Sequence, residues 1–244
     1  MLDAEAARRY ARHIVLRGFG GAAQQALATA RIAVIGAGGL GSPVLAYLAA
    51  AGVGHIRVLD DDTVAISNLQ RQIVHRTADI GAPKSASAAR FARDLNPTVT
   101  IEPLAERIAP HSAQRLLSGC QLVLDGSDDL FTRRAVAASC ASSRIPLVMG
   151  ALSMFDGQVT VLAPHLARPD GRPGPTLADL YDSSLADTDL PGCETGGILG
   201  PVAGVIGTLM AVEAVKLITG IGTPLVGRML VYDSLAGRMD EIEI

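Results

Sequence analysis

Two polar clusters in the sequence carry side chains that could bind and transfer phosphate. The first is SNLQRQ at 67–72, which places Asn68, Arg71 and Gln72 after a predicted buried strand, and Lys84 follows at a predicted helix start. Cationic and amide groups this close together suit a triphosphate, because charge must be neutralised as a phosphoanhydride bond breaks. On spacing alone, Arg71 and Lys84 could each instead be a solvated surface residue.

The second cluster is DGSDD at 125–129, which follows another short apolar run. Ligands of open α/β sheets bind at the carboxyl ends of the strands, where Asp125, Asp128 and Asp129 are expected. Carboxylates facing a phosphate chain suit Mg²⁺, a hard cation that binds carboxylate and phosphate oxygens. Asp128 is the hardest of the three to dismiss, because it directly follows a buried strand, whereas Asp129 could instead complement the dipole of the following helix.

A glycine-rich loop, GAGGLG at 36–41, fits the pattern GxGxxG between an apolar strand and a helix. Without side chains, such a loop lets phosphate oxygens reach main-chain amides at a helix N-terminus. Asp60 ends the next strand, about 20 residues on, where a carboxylate would hold a ribose. The pattern alone separates neither NAD from ATP nor binding from tight packing. The nucleotide-contact candidates in these segments are Gly36, Gly38, Gly39, Gly41, Asp60 and Asp62.

Apolar runs alternate with helical segments through the first 150 residues. This rhythm predicts a Rossmann-like, mostly parallel sheet with helices on both faces. The predicted strands are 31–36, 55–60, 98–103, 121–126 and 145–150, and the predicted helices are 3–16, 39–52, 82–97, 111–118 and 130–143. Asp3 is the expected N-cap of the first helix.

The regular alternation of predicted strands and helices ends after Gly150. A strand at 157–164 lacks a preceding crossover helix. A Pro/Gly/Asp-rich loop follows at 163–192, and its length is typical of a lid, a binding loop or a partly disordered segment. The end of the chain, 228–244, reads as a hairpin and predicts a C-terminal antiparallel extension. We expect one domain over 1–244 with an N-terminal helical arm over about 1–30.

Composition excludes several classes of protein. The chain has 244 residues, 49% hydrophobic and 3% aromatic, with a net charge of −3, which disfavours nucleic-acid binding. Its three cysteines have no CxxC spacing, and no secretion signal is evident, so a cytoplasmic protein is expected. The most membrane-like segment, Gly197–Val212, is short and interrupted by Gly and Pro, so we predict a buried core helix and no membrane association.

Several segments together resemble the MoeB/ThiF/HesA group of ubiquitin-activating-like enzymes. They are RYARHIVLRGFG, GAGGLGS, AGVGHIRVLDDDTVAISNLQRQ, GAPKSASA, DGSDD and the closing VYDSLAGRMDEIEI. The resemblance implies that ATP and Mg²⁺ are used to adenylate the C-terminal Gly-Gly of a ubiquitin-fold sulfur-carrier protein. It implies phosphate contacts for the glycine loop, Asn68, Arg71 and Lys84, ribose binding for Asp60, and Mg²⁺ coordination by Asp128 beside the attacked α-phosphate.

The resemblance also implies a homodimer in which Arg12 reaches the nucleotide of the partner. It assigns the loop at 163–192 as a crossover loop over the channel for the carrier tail. Cys193 stands where some members carry a cysteine that joins the carrier covalently, although a free cysteine without a role is the alternative. Zinc is predicted absent, because Thr176 and Asp179 occupy the positions of the first cysteine pair and the sequence ends before a second pair.

Other functions remain open at this point. An NAD-dependent oxidoreductase would use the same glycine loop but leaves Arg71 and Lys84 unexplained. A related RNA-modifying dehydratase conflicts with the acidic composition and with SNLQRQ, and a non-catalytic subunit of an activating heterodimer has no need of Arg71, Lys84 and Asp128 together. The sequence does not distinguish the thiamine, molybdopterin, cysteine or specialised pathways that such carriers serve.

Overall fold

One eight-stranded sheet organises the molecule in the computed structural model, which describes residues 3–168, 170–182, 184–185 and 197–244. The strands are β1 (Arg31–Ile35), β2 (His55–Leu59), β3 (Thr100–Leu104), β4 (Leu122–Asp125), β5 (Leu147–Ser153), β6 (Asp156–Leu162), β7 (Arg228–Asp233) and β8 (Arg238–Glu243). Their order is β3-β2-β1-β4-β5-β6-β7-β8. Strands β1 to β5 pair in parallel, and the pairs from β5 to β8 are antiparallel, so the predicted fold class is confirmed.

Helices cover the sheet and lead into it. They are α1 (Ala4–Arg9), α2 (Ala11–Ile14), α3 (Gly20–Thr29), α4 (Gly41–Ala51), α5 (Lys84–Leu95), α6 (Ala113–Leu117), α7 (Leu130–Ser143) and α8 (Gly200–Thr219). Asp3 caps α1 by accepting the amide of Ala6 at 2.8 Å, as predicted. The single helix expected over 3–16 is interrupted at Tyr10, whose buried hydroxyl accepts the amide of Asn96 at 2.8 Å.

Helix α8 is long and apolar enough to cross a membrane by length and composition. It packs instead against α4, β5 and β6, as the prediction of a core helix requires. The helix continues past the apolar segment that ends at Val212, because Glu213 does not stop it. Its buried carboxylate accepts the amide of Leu225 at 2.8 Å and pairs with Lys216, so the charge is satisfied inside the fold.

The two central strands determine where the site forms. All the residues of β4 and four of the five residues of β1 are buried, as expected for parallel strands covered on both faces. The chain leaves β1 towards β2 on one side, whereas β4 lies on the other side of β1, so the strand order reverses there. A crevice opens at the carboxyl ends of strands at such a switch point, and ligands of open α/β sheets bind in it.

Candidate active site

A cleft of about 520 Å³ lies at the carboxyl ends of the parallel strands. It brings together the loops that follow β1, β2, β3 and β4, which are far apart in the sequence. The predicted site residues that line it are Gly36, Gly38, Gly39, Asp60, Asp62, Arg71, Gln72, Lys84 and Asp128. The cleft therefore unites both polar clusters with the glycine-rich loop.

The glycine-rich loop divides into packing and lining positions. Gly36 has a φ of 84°, which lets the chain turn sharply out of β1. A Cβ at Gly41 would overlap the carbonyl oxygen of Gly36, so the loop closes on itself only with glycine at that position. Gly41 does not line the cleft, whereas Gly38 and Gly39 do. The tight-packing interpretation therefore describes Gly41, and the lining positions remain the candidates for phosphate contact.

Asp60 holds the glycine-rich loop through its carboxylate. Its Oδ2 accepts the amide of Ala37 at 2.8 Å, and its Oδ1 accepts the amide of Asp62 at 2.9 Å. Burial raises the pKa of Asp60, and the two amides with the nearby charge of Lys84 act in the opposite direction. Each oxygen keeps a further lone pair, so the predicted ribose contact is compatible with these bonds and stays a prediction.

The SNLQRQ segment separates into a residue that shapes the loop and residues that face the cleft. Asn68 Oδ1 accepts the amide of Ala65 at 3.0 Å at a short 3-10 turn, and Asn68 does not line the cleft. Arg71 is half-buried in the lining and donates to the carbonyl oxygen of Ser67 at 3.1 Å. Gln72 is buried, and its Oε1 has no hydrogen-bond partner among the described residues.

Lys84 begins α5 and carries its ammonium into the cleft. The side chain is buried, and Nζ lies 2.8 Å from Asp62 Oδ2. The backbone amide of Lys84 also donates to the carbonyl oxygen of Asp62 at 2.9 Å. Two contacts between the same residues therefore fix the start of α5 against the acidic segment after β2.

The three aspartates after β4 have different surroundings. Asp125 is fully buried, accepts the amide of Ser127 at 2.8 Å and does not line the cleft. Burial also raises the pKa of Asp125. Asp125 ends β4 as expected, but its side chain does not face the cleft, so its expected place among the ligand-facing carboxylates was wrong. Asp129 caps α7 by accepting the amide of Thr132 at 2.8 Å and lies 3.2 Å from Arg107, which confirms the helix-terminus alternative.

Of the three aspartates after β4, Asp128 is the one whose carboxylate is available for a cation. It is exposed in the cleft, and no hydrogen bond or ion pair reaches it from the residues that the structure describes. Within the same residues, no group of three His, Cys, Asp or Glu side chains could hold a metal by itself. This arrangement fits Mg²⁺, which proteins bind through one or two carboxylates together with substrate phosphates.

Two arginines of the site were missed by sequence reasoning. Arg107 follows β3 and lines the cleft beside Asp129. Its position after a strand of the sheet could have identified it as a candidate site residue. Arg133 is buried on α7 and donates to the carbonyl oxygens of Ser127 at 2.6 Å and Gly150 at 2.9 Å. It joins the turn after β4 to the middle of β5, a packing role that no local pattern indicates.

Other predicted residues lie away from the cleft or outside the description. Arg12 is exposed on α2 and does not line the cleft. Cys193 lies outside the described residues, whereas Cys120 and Cys140 are buried thiols. From the predicted crossover loop, Tyr181 lines the cleft.

Comparison with known proteins places the chain among enzymes with this fold. A sequence model of the ThiF family matches residues 10–244. The SAMP-activating enzyme E1 of Haloferax volcanii is 42% identical over 234 residues, which cover 96% of this chain and 84% of that protein. The sulfur carrier protein adenylyltransferase of Thermus thermophilus is 39% identical over 236 residues, which cover 97% of this chain and 86% of that protein.

Solved structures share the architecture at lower identity. The crystal structure of PaaA matches with a TM-score of 0.82 at 23% identity and covers 100% of this chain and 75% of that chain. The structure of E. coli MccB with ATP matches with a TM-score of 0.76 at 19% identity and covers 91% of this chain and 65% of that chain. At these identities the similarity shows the fold.

Proposed function

Because the chain belongs to the ThiF family, we propose that it is an adenylyltransferase of a ubiquitin-like sulfur-carrier protein. It would use ATP to adenylate the C-terminal glycine carboxylate of the carrier and release pyrophosphate, which activates the carrier for sulfur transfer. The observation that carries the proposal is the convergence of Arg71, Lys84 and Asp128 with the glycine-rich loop in one cleft. The names of the two relatives support the same reaction.

The reaction needs positioning and charge neutralisation more than a protein nucleophile. A carboxylate oxygen of the carrier forms a bond to the α-phosphorus while the bond from that phosphorus to the bridging oxygen breaks. Pyrophosphate leaves with the bonding electron pair, and no proton has to be removed because the carboxylate is already ionised. Arg71 and Lys84 would stabilise the phosphate charge, and the glycine-rich loop would orient the nucleotide.

Two metal assignments follow for this chain. Asp128 would hold Mg²⁺, which, when bound, neutralises phosphate charge as a Lewis acid. Zinc has no comparable place at the positions that the family resemblance indicates, because Asp179 Oδ2 accepts both the amide of Thr176 at 2.7 Å and its hydroxyl at 2.8 Å. We therefore expect purified protein to contain no zinc by elemental analysis, and stoichiometric zinc would contradict this assignment.

The partners follow from the same proposal. The carrier would be a ubiquitin-fold protein with a C-terminal Gly-Gly, and the enzyme would act as a cytoplasmic homodimer. The exposed guanidinium of Arg12 on α2 is available to a second subunit, which supports a role across the dimer rather than within one chain. Cys193 stays a candidate for a covalent link to the carrier.

The proposal is tested by following the carrier itself. Carrier, ATP and Mg²⁺ incubated with the enzyme should yield carrier protein heavier by one AMP in intact-mass spectra, and a carrier without its last glycine should not react. Carrier that stays unmodified, with an enzyme shown to bind ATP, would contradict the activity and favour a non-catalytic subunit. Binding of NAD in place of ATP would favour the oxidoreductase alternative.

A further inference from the structure

A buried histidine outside the cleft contacts the glycine-rich loop. His75 Nε2 lies 3.0 Å from the carbonyl oxygen of Ala37, and Nδ1 lies 2.9 Å from Ser87 Oγ. Ser87 Oγ in turn lies 2.8 Å from Asp79 Oδ2, and Asp79 pairs with Arg90 at 2.5 Å. A continuous set of contacts therefore runs from the glycine-rich loop to α5.

The proton on His75 Nε2 follows from the chemistry of its partner. A carbonyl oxygen can only accept a hydrogen bond, so Nε2 must donate to Ala37. The single proton of the Ser87 hydroxyl can serve either His75 Nδ1 or the Asp79 carboxylate, and a protonated Nδ1 can donate to Ser87. In each of these arrangements the bond from Nε2 to Ala37 is kept.

The contact with His75 completes the restraint on Ala37. The amide of Ala37 donates to Asp60 at 2.8 Å, and its carbonyl oxygen accepts from His75 at 3.0 Å. Both peptide planes of the residue that precedes Gly38 are therefore held, and Gly38 lines the cleft. Ser87 lies one helical turn after Lys84 on α5, so the same imidazole connects the glycine-rich loop to the helix that carries the cleft-lining ammonium.

We propose that His75 is a positioning residue for ATP, which acts through Ala37 to aim the amides of the glycine-rich loop at the phosphates. It touches neither the cleft nor the reacting atoms. This inference rests on the proposed function, because the ligand to be positioned is ATP. The glycine-rich loop contacts ATP before and during the reaction alike, so loss of the Nε2 bond should raise KM for ATP and leave kcat nearly unchanged.

Two substitutions separate the bond to Ala37 from the rest of the histidine. In His75→Gln the side-chain amide can reach the place of Nε2 and donate to Ala37, whereas in His75→Asn it can reach only the place of Nδ1. We expect His75→Asn to raise the dissociation constant and KM for ATP by about tenfold, the size of one lost positioned hydrogen bond. His75→Gln should stay within about twofold of the unsubstituted protein by the same reasoning.

Direct measurement of ATP affinity separates this inference from the proposed function. ATP binding with Mg²⁺ is titrated calorimetrically, and thermal melting is recorded for each variant. His111, an exposed histidine outside the cleft, provides matched controls, and His111→Gln and His111→Asn should leave ATP affinity unchanged. Absence of carrier adenylation by the unsubstituted enzyme would contradict the proposed function, while the ratio of ATP affinities would still test His75.

The possible outcomes decide the role of His75. Equal ATP affinity in folded His75→Gln and His75→Asn would overturn the proposal, as would losses that simply follow the melting temperature. If neither variant folds, Ser87→Ala tests the proposal instead, because it keeps the imidazole but removes the hydrogen bond that connects it to α5. Ser87→Ala removes the neutral hydrogen bond to His75 Nδ1 but leaves the bond from Nε2 to Ala37, so a weakening of ATP binding by about threefold supports the positioning role. An unchanged ATP affinity contradicts that role.

Discussion

The ammonium of Lys84 lies 2.8 Å from the carboxylate of Asp62, with the lysine buried and the aspartate side chain 69% exposed. Asp62 thus holds the cation at the wall of the cleft while facing solvent itself. Because Asp62 is exposed, removal of the lysine charge leaves no buried carboxylate unpaired, and we expect little loss of stability. The arrangement orients Lys84 for a ligand without making the fold depend on the pair.

Replacement of Lys84 should therefore separate activity from stability. Lys84→Met keeps most of the packing but removes the charge, and we expect carrier adenylation to fall by about 100-fold or more with little change in melting temperature. Lys216→Met is the matched control, because it removes the partner of buried Glu213 on α8. That control should lower the melting temperature and leave the activity of the folded protein intact. A Lys84→Met protein that melts at a lower temperature but keeps its activity would exclude Lys84 from the site.

Neighbouring aspartates after β4 should respond differently to the same substitution. Asp128→Asn removes the free carboxylate and should reduce adenylation by about 100-fold or more, since the magnesium ligand is lost. Asp129→Asn keeps a good N-cap for α7 and should change activity by less than about threefold. Initial rates over a range of Mg²⁺ concentrations check both, and undiminished activity in Asp128→Asn would contradict the magnesium assignment.

Protonation of His75 should lower stability in mild acid. Burial lowers the pKa of His75 from its usual 6.5, with Lys84 and Arg90 acting in the same direction and Asp79 and the Ala37 carbonyl against them. A lowered folded-state pKa means that stability is present above pH 6.5 and is lost as the pH falls towards the folded-state pKa. The free energy of unfolding should fall by up to about 1.4 kcal/mol per pH unit in this window.

Chemical denaturation at a series of pH values checks this slope. His75→Gln should show a shallower fall below pH 6.5 than the unsubstituted protein, because its side chain does not titrate. His55 and His165, whose pKa values burial also lowers, are present in both proteins and cancel in the difference. Identical slopes would mean that His75 titrates alike in the folded and unfolded states.

Arg12 should act on the nucleotide of the other subunit. Mixed dimers of Arg12→Ala and Arg71→Ala subunits contain one intact site, so activity should return to about one quarter of the unsubstituted level if mixing is random. Each variant alone should be nearly inactive. Heterodimers shown to form by differential tags, yet without restored activity, would place both arginines in one site or remove Arg12 from it.

Much of the fold could be predicted because its signals are local. Apolar runs marked the central strands, and glycines marked the loop after β1, where a Cβ at position 41 would meet the Gly36 carbonyl. The interruption at Tyr10 and the continuation of α8 past Glu213 were not predictable in this way. Both depend on partners distant in sequence, Asn96 for Tyr10 and Leu225 for Glu213.

The same distinction applies to the site. Arg71 and Asp128 lie in polar segments that follow strands, and Lys84 begins a helix, so their residue types and positions in the sequence were enough to predict that they lie in one cleft. His75, in contrast, contacts Ala37, which lies 38 residues away. Arg133 on α7 contacts the carbonyl oxygen of Gly150 in β5. A histidine in a loop and an arginine on a helix are ordinary in sequence, and only the packing shows what they hold.

The most direct test of the account is ATP–pyrophosphate exchange with Mg²⁺, measured with and without a small ubiquitin-fold carrier that ends in Gly-Gly. Exchange reports formation and reversal of the acyl-adenylate and requires no later sulfur donor. We predict exchange that depends on the carrier and disappears when its terminal glycine is removed. ATP binding without exchange, with carriers from each pathway, would contradict the proposal that this cleft catalyses adenylation.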